Sequence, residues 1–263
     1  MTTAVLSDYL ETKILNHVLR NTAYTSPGTA IYIALHTADP SDAGTGTEVT
    51  GTSYARVQVT AWDAPASRAT ANTNAITWSA AGSNWGTVTH IGIWDASTTG
   101  NLLFYGALTA SKSVASGTTF SISAGELDIT LDGEFSTYLS HKLLDHILRN
   151  TAYTSPGTSV YISLHTATLT AAMTETECSG SNYARTQCTS WDAPGATNGA
   201  TANTSAITFP TPSGSWGTVT NVGIFDASTT GNGLFFSAVD TSFAPGNGDT
   251  VRFAAGDLDV TVS

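Results

Sequence analysis

The residues best equipped for chemistry are carboxylates, histidines, two cysteines, two arginines and a set of tryptophans, and most of them occur twice. Glu126 and Asp128 stand two apart, as do Asp257 and Asp259. On a strand that spacing sends both side chains to one face. Glycoside cleavage needs two carboxyl groups opposed across the sugar, one of them the acid. Neighbours on one ridge, with nothing in the sequence to raise a pKa, better suit a solvated strand face or a polar contact with a partner. Asp95 to Asn101 offers carboxylate, hydroxyl and amide oxygens, the donor types that calcium takes. Its single carboxylate, repeated as Asp226 in Asp226–Asn232, favours a hairpin turn closed by an Asx-type hydrogen bond.

His17, His36, His146 and His165 recur in pairs, whereas His90 and His141 do not. None stands in H-x-H or H-E-x-x-H spacing, and there is no C-x-x-C, Walker loop, G-x-S-x-G elbow or post-strand G-x-G-x-x-G. No catalytic residue, metal site or cofactor is therefore expected. His17 and His146 fall at the ends of helical segments, where imidazolium would interact well with the helix dipole. Cys178 and Cys188 have no sulfur counterparts; Val49 and Val59 stand at the equivalent positions. Two readings stay open: small buried apolar residues, which the valines favour, or a disulfide. Trp62, Trp85, Trp191 and Trp216 could form a sugar-binding platform if exposed, or close the edges of a core if buried. Arg56 and Arg185 stand out because basic residues are scarce. Each is expected to pair with a nearby carboxylate, Asp63 or Asp192, or to anchor a partner. Arg56, Arg185, Trp62, Trp191, Asp128 and Asp259 are thus the candidate partner-contact or structural residues.

The elements that must position these groups follow from periodicity. Between Ser7 and Arg20, Leu10, Ile14 and Val18, flanked by Leu15 and Leu19, make one apolar helix face. Ser7 and Ser136 suit N-caps, and Asn21 and Asn150 suit the left-handed residue that ends a helix. The apolar face must be buried on the strands that follow or on the neighbouring copy. Alternation predicts strands near Ile31–Leu35, Tyr54–Thr60, Asn74–Trp78, Gly86–Trp94, Leu102–Ala110, Thr118–Ser123 and Leu127–Leu131. Seven short strands separated by polar turns suggest a β-sandwich, without giving the strand order.

All of this happens twice. The run from Tyr9-Leu10 to Ser26-Pro27-Gly28-Thr29 returns as Tyr138-Leu139 to Ser155-Pro156-Gly157-Thr158, an offset of 129. The offset becomes 131 after Pro194, because Gly195-Ala196-Thr197-Asn198-Gly199 is a loop-like segment carrying two extra residues. The unit is domain-sized, so it is no solenoid repeat. Residues 1–132 and 133–263 read as two tandem modules, each one helix plus a β-sandwich, in a mainly β protein. The link near Asp132-Gly133-Glu134 is short, which predicts a pseudo-symmetric pair, a dimer on one chain.

With 20 Asp and Glu against 9 Lys and Arg, the net charge is −11. Nucleic acid would be repelled. No basic amphipathic helix, secretory signal or apolar span supports a membrane partner, so synthesis in a cytoplasm is expected.

Taken together, L-x-x-Y-L-x-x-K-[IL]-L-[ND]-H-[VI]-L-R-N, S-P-G-T, I-Y-I-A-L-H-T, E-V-x-G-x-x-Y-A-R, W-G-T-V-T-x-[IV]-G-I-[WF]-D-A and A-G-x-L-D-[IV]-T resemble a family of tailed-bacteriophage virion structural proteins, loosely labelled tail fibre or minor structural proteins. The resemblance covers nearly all of both copies, and carrying the module twice departs from the family's usual pattern. It implies a non-enzymatic protein on the virion surface whose partners are other virion proteins, the major capsid protein or tail proteins, or further copies of itself. Two compact modules without heptads or a shaft place capsid decoration slightly ahead of a tail appendage. A carbohydrate-binding adhesin is a further alternative, and a glycan depolymerase a remote one.

Overall fold

The computed structural model describes residues 4–158, 160–197 and 199–262. Each copy begins with a helix, α1 (Asp8–Leu19) and α2 (Thr137–Leu148). The cap serines are where the sequence puts them: Ser7 and Ser136 accept the N–H of Leu10 and Leu139 through their side chains. At the other ends Asn21 and Asn150 adopt φ of 51° and 53°, which ends the helical run. Ser7 also donates its hydroxyl to the Leu102 carbonyl and Ser136 donates to Gly233, fastening each helix start to a strand of its own copy. We expect Ser7→Ala to lower stability by about 1–2 kcal/mol, read as a shift in the denaturation midpoint with an unchanged slope.

The strands of the first copy are β1 (Val5–Leu6), β2 (Tyr32–His36), β3 (Val57–Gln58), β4 (Ala69–Ala71), β5 (Ile76–Thr77), β6 (Gly86–Trp94), β7 (Leu102–Val114), β8 (Ser121–Ile122) and β9 (Asp128–Thr130). Those of the second are β10 (Tyr161–His165), β11 (Thr186–Gln187), β12 (Ala200–Ala202), β13 (Ile207–Thr208), β14 (Val219–Phe225), β15 (Gly233–Phe243), β16 (Arg252–Phe253) and β17 (Asp259–Thr261). The seven predicted strands are all present. β1 and β4 were not foreseen, because two residues, or an Ala-Thr-Ala stretch, carry no alternation to read.

In the first copy one antiparallel sheet has the order β1-β7-β6-β2-β3. The second layer is an interrupted ribbon in which β4 pairs with β9 and β5 with β8. The second copy repeats both layers, as β11-β10-β14-β15 and the pairs β12-β17 and β13-β16. Each interruption is filled by an asparagine with no solvent exposure, Asn72 or Asn203. Asn72 donates to Asn74 and Ser123 carbonyls and accepts the Leu127 N–H at 2.8 Å; Asn203 does the same with Ser205, Ala254 and Leu258. The side chain supplies the bonds that the broken ladder would otherwise leave unmade.

Ile33, Leu35, Ile91 and Ile93 of the sheet meet Ile76, Trp78, Leu127 and Ile129 from the ribbon side in the core. That core does not stop at the copy boundary. One connected apolar cluster runs from Ala4 to Val262 and includes the inner faces of both helices. α1 packs on β7 of its own copy and on β12 of the other; α2 packs on β15 and on β4. Both places that the sequence left open for the apolar helix face are therefore used at once.

Candidate functional site

The residues shared by the two copies converge on their junction. α1 and α2 bring His17 and His146 together, ring centroids 5.3 Å apart and planes within 11° of parallel. His17 Nδ1 accepts the Tyr24 N–H, so Nε2 carries the proton and donates to the Tyr153 carbonyl at 2.9 Å. His146 mirrors this, accepting from Tyr153 N–H and donating to the Tyr24 carbonyl at 2.8 Å. Both rings are thereby held neutral and each ties its own helix to the other copy. The dipole interaction expected from the sequence requires imidazolium, and this geometry is a correction to it. Burial pushes the His17 pKa down, the Tyr153 carbonyl acting against it and His146 adding to it.

Around this pair the contacts remain reciprocal. Arg20 Nε donates to the Trp191 carbonyl at 3.2 Å, and Arg149 Nε to the Trp62 carbonyl at 3.1 Å. Asn150 reaches the Ser26 hydroxyl, and a Cβ on Gly28 would meet Asn150 just as one on Gly157 would meet Asn21. An isologous contact requires each residue to serve its twin's neighbours. That requirement accounts for the unbroken identity of Leu19–Thr29 with Leu148–Thr158.

Trp62 and Trp191 are thus partner-contact residues in an unforeseen sense: the partner is the other copy, and their backbone makes the contact. Their rings are buried, as are those of Trp85 and Trp216, whose indole N–H groups donate to Thr52 and Ser181 carbonyls. An aromatic sugar platform built on these four residues has no exposed face.

The junction is not perfectly symmetric. Position 11 is Glu and its counterpart is Ser140, which donates to the Leu131 carbonyl. Glu11 is buried against Gly199, whose added Cβ would lie 2.5 Å from its Oε2. Burial first, then the Asp42 and Asp8 charges, push its carboxyl up to about 7. The loop-like segment that carries the two extra residues therefore packs on α1; Thr12 also donates to the Gly195 carbonyl. Asn198 lies outside the described residues. On the other side His141 Nε2 accepts the Arg68 N–H, and Arg68 pairs with Asp132 at 2.9 Å, pinning the link between copies.

Arg56 and Arg185 do not pair with Asp63 and Asp192. Arg56 forms a salt bridge with Glu48 at 2.8 Å, lies 4.0 Å from the centroid of the Trp94 ring and donates to the Ala96 and Thr99 carbonyls. Arg185 repeats this with Glu177, Phe225, Ala227 and Thr230. Asp63 instead accepts from the Thr73 hydroxyl. The correct acceptor lay eight residues upstream, in the E-V-x-G-x-x-Y-A-R motif, whose Tyr54 hydroxyl also donates to Glu48. The clamp explains the Asp95–Asn101 loop. Asp95 takes both the backbone and side-chain N–H of Asn101, and the loop carbonyls at 96 and 99 receive a guanidinium. Those oxygens already serve a cation supplied by the chain.

Asp128 and Asp259 are exposed on β9 and β17, opposite Ala71 and Ala202. Glu126 and Asp257 are also exposed but lie in the turns before β9 and β17, so the shared strand face expected from the spacing does not form, and Asp257 caps the Ala254 N–H. Cys178 and Cys188 are both free and buried, and burial pushes the Cys178 thiol up to about 11. Val49 and Val59 are buried at the equivalent places. We expect Cys178→Val and Cys188→Val to change stability by less than about 1 kcal/mol each, checked by urea titration.

A doubled helix-and-sandwich module, self-complementary through reciprocal contacts, places the chain in the class of mainly β proteins assembled from repeated units. The family comparison gives that class a name. A family model described as podophage GP4 fiber I protein gp80 matches residues 5–130 and again 134–261, and the chain belongs to that family. It is a bacteriophage virion structural protein, carrying the family module twice in tandem. A comparison with individually curated proteins found no match. No helix among the described residues is long and apolar enough to cross a membrane.

Proposed function

We propose that the chain is a non-enzymatic component of the tail fibre apparatus on the virion surface, contributing two copies of one fibre module as a preassembled pair. The observation that carries this reading is the twofold match to a podophage fibre family over nearly the whole chain. The geometry is consistent with it. Several recurrent polar residues hold the copies together or pin loops, as His17, Arg20 and Arg56 do. Compactness supports a second reading, capsid decoration: each copy is one short helix on a two-layer β unit, without a shaft or coiled coil among the described residues. The printed description of the matching family supports the fibre reading.

Electron cryo-microscopy of particles lacking the gene separates the two. Loss of density at the tail, with an unchanged head surface, is the expected result. Loss of evenly spaced head-surface density would transfer the protein to the decoration class, and unchanged particles would overturn both readings.

A further inference from the structure

The two copies are alike at the junction and unlike on the far side, where the bulged end of the long strand faces the ribbon. In the first copy this place is a groove of about 250 Å³ bordered by Lys112, Phe120, Ile122 and Glu126. The chain supplies the groove's cation itself: Lys112 Nζ stands 5.1 Å from the centroid of the Phe120 ring. In the second copy the position of Lys112 is Phe243, that of Ile122 is Phe253 and that of Thr109 is Asp240. The groove there is larger, about 530 Å³, and is bordered by Asp240, Phe243, Phe253, Asp257, Leu258 and Asp259. Its floor is the buried Leu258 with half-buried Phe243 and Phe253, and its three carboxylates are exposed. The chain's nearest cation by sequence, Arg252, borders the adjoining hollow with Asp249 and not this one.

We infer that the groove between β15 and β16–β17 binds a lysine- or arginine-bearing segment of another virion protein. The first copy shows what chemistry the site accepts, an ammonium over an aromatic ring in a groove that a carboxylate also borders. The second copy has lost the internal cation and, with Val251 in place of Phe120, the ring beneath it, but has gained Phe243, Phe253 and Asp240. Charge complementarity and cation–π attraction both select a basic side chain from outside. Doubling the module thus allowed one copy to keep a self-filled groove while the other became a docking surface. This rests on the reading of the chain as a virion structural protein, and it names the chemistry of one partner contact.

The test uses the intact chain and a fluorescein-labelled twelve-residue peptide of alternating Lys and Gly, with a Glu-Gly peptide of equal length as control. Saturable anisotropy change with the Lys peptide alone is expected. Asp240→Asn combined with Asp259→Asn should weaken it about tenfold, the size of one or two cation contacts. Glu126→Gln combined with Asp128→Asn in the first copy should leave it unchanged. All four positions are exposed, so coincident thermal melts confirm that the variants fold. Equal binding of both peptides, or binding indifferent to the Asp240/Asp259 pair, overturns the inference. Concentration-dependent self-association in sedimentation velocity that is lost in Lys112→Gln also overturns it, because the occupant would then be a second copy of this chain. Neither result depends on whether the protein sits on the head or the tail, so failure here leaves the virion assignment standing.

Discussion

Replacing Arg56 with Ala is expected to cost about 3–5 kcal/mol, the range for removing one partner of a buried ion pair. The guanidinium is almost entirely buried, with a side-chain exposure of 7%, and its loss takes a donor from Glu48 and from two loop carbonyls together. Arg56→Lys should recover little, because an ammonium cannot bridge both Glu48 oxygens, stack on Trp94 and reach Ala96 and Thr99 at once. Arg185→Ala should behave like Arg56→Ala. Because one apolar cluster joins the copies, either substitution should lower a single cooperative urea transition, not split off one half. A loss below about 1 kcal/mol, in the range of a surface pair, would show that the clamp is dispensable.

The second large effect concerns pH and has two opposed parts. Glu11 has its pKa raised from 4.5 to about 7, so the folded state holds a proton that the unfolded state releases between those values. Stability from this group is therefore present below 4.5 and lost as pH rises through about 7. The difference corresponds to about 3 kcal/mol at about 1.4 kcal/mol per pH unit. Glu11→Gln, which cannot ionise, should raise stability at pH 8 by roughly 2–3 kcal/mol and have little effect at pH 4. His17 runs the other way. Its pKa is lowered from 6.5 by burial, so the unfolded chain binds a proton that the folded chain refuses. That contribution is lost as pH falls from about 6.5 toward the lowered value. His36 and His165, whose pKa values burial also lowers, act in the same direction as His17, so in Glu11→Gln stability should rise more steeply with pH between about 5 and 7 than in the unsubstituted protein. Chemical denaturation across pH 4–8 checks both. A Glu11→Gln profile that falls from pH 5 to 7 would contradict the assignment of the falling limb to Glu11.

Local features were legible in sequence where one short-range rule decides them. Leu10, Ile14 and Val18 marked the helix, Ser7 and Asn21 its ends, and Asp95 with Asn101 the hairpin turn. The repeat was legible because identical runs align at fixed offset. What was not legible depended on long-range placement. The acid that meets Arg56 could not be chosen between Glu48 and Asp63 without knowing that β2 and β3 are paired. His17 read as a helix-end residue, since nothing in its neighbourhood announces a stacked partner 129 residues on. One signal was available: an identical run of eleven residues, Leu19–Thr29 and Leu148–Thr158, is longer than a helix end and a turn require. A self-complementary interface does require it. The groove in the second copy was hidden because Asp240 lies on β15, Asp257 in the turn after β16 and Asp259 on β17, and only the fold places them beside Phe243 and Phe253.

A selective NMR measurement bears most directly on the claim that the chain is an internal pseudo-dimer locked across α1 and α2. With ring-labelled histidine, a cross-relaxation peak between the His17 and His146 imidazoles is predicted, with both rings neutral and protonated at Nε2 at pH 7.5. Loss of the peak on His146→Gln would assign it. Two histidines showing no mutual contact, with free exchange of ring protons, would mean that the copies do not meet through their helices, contradicting the account.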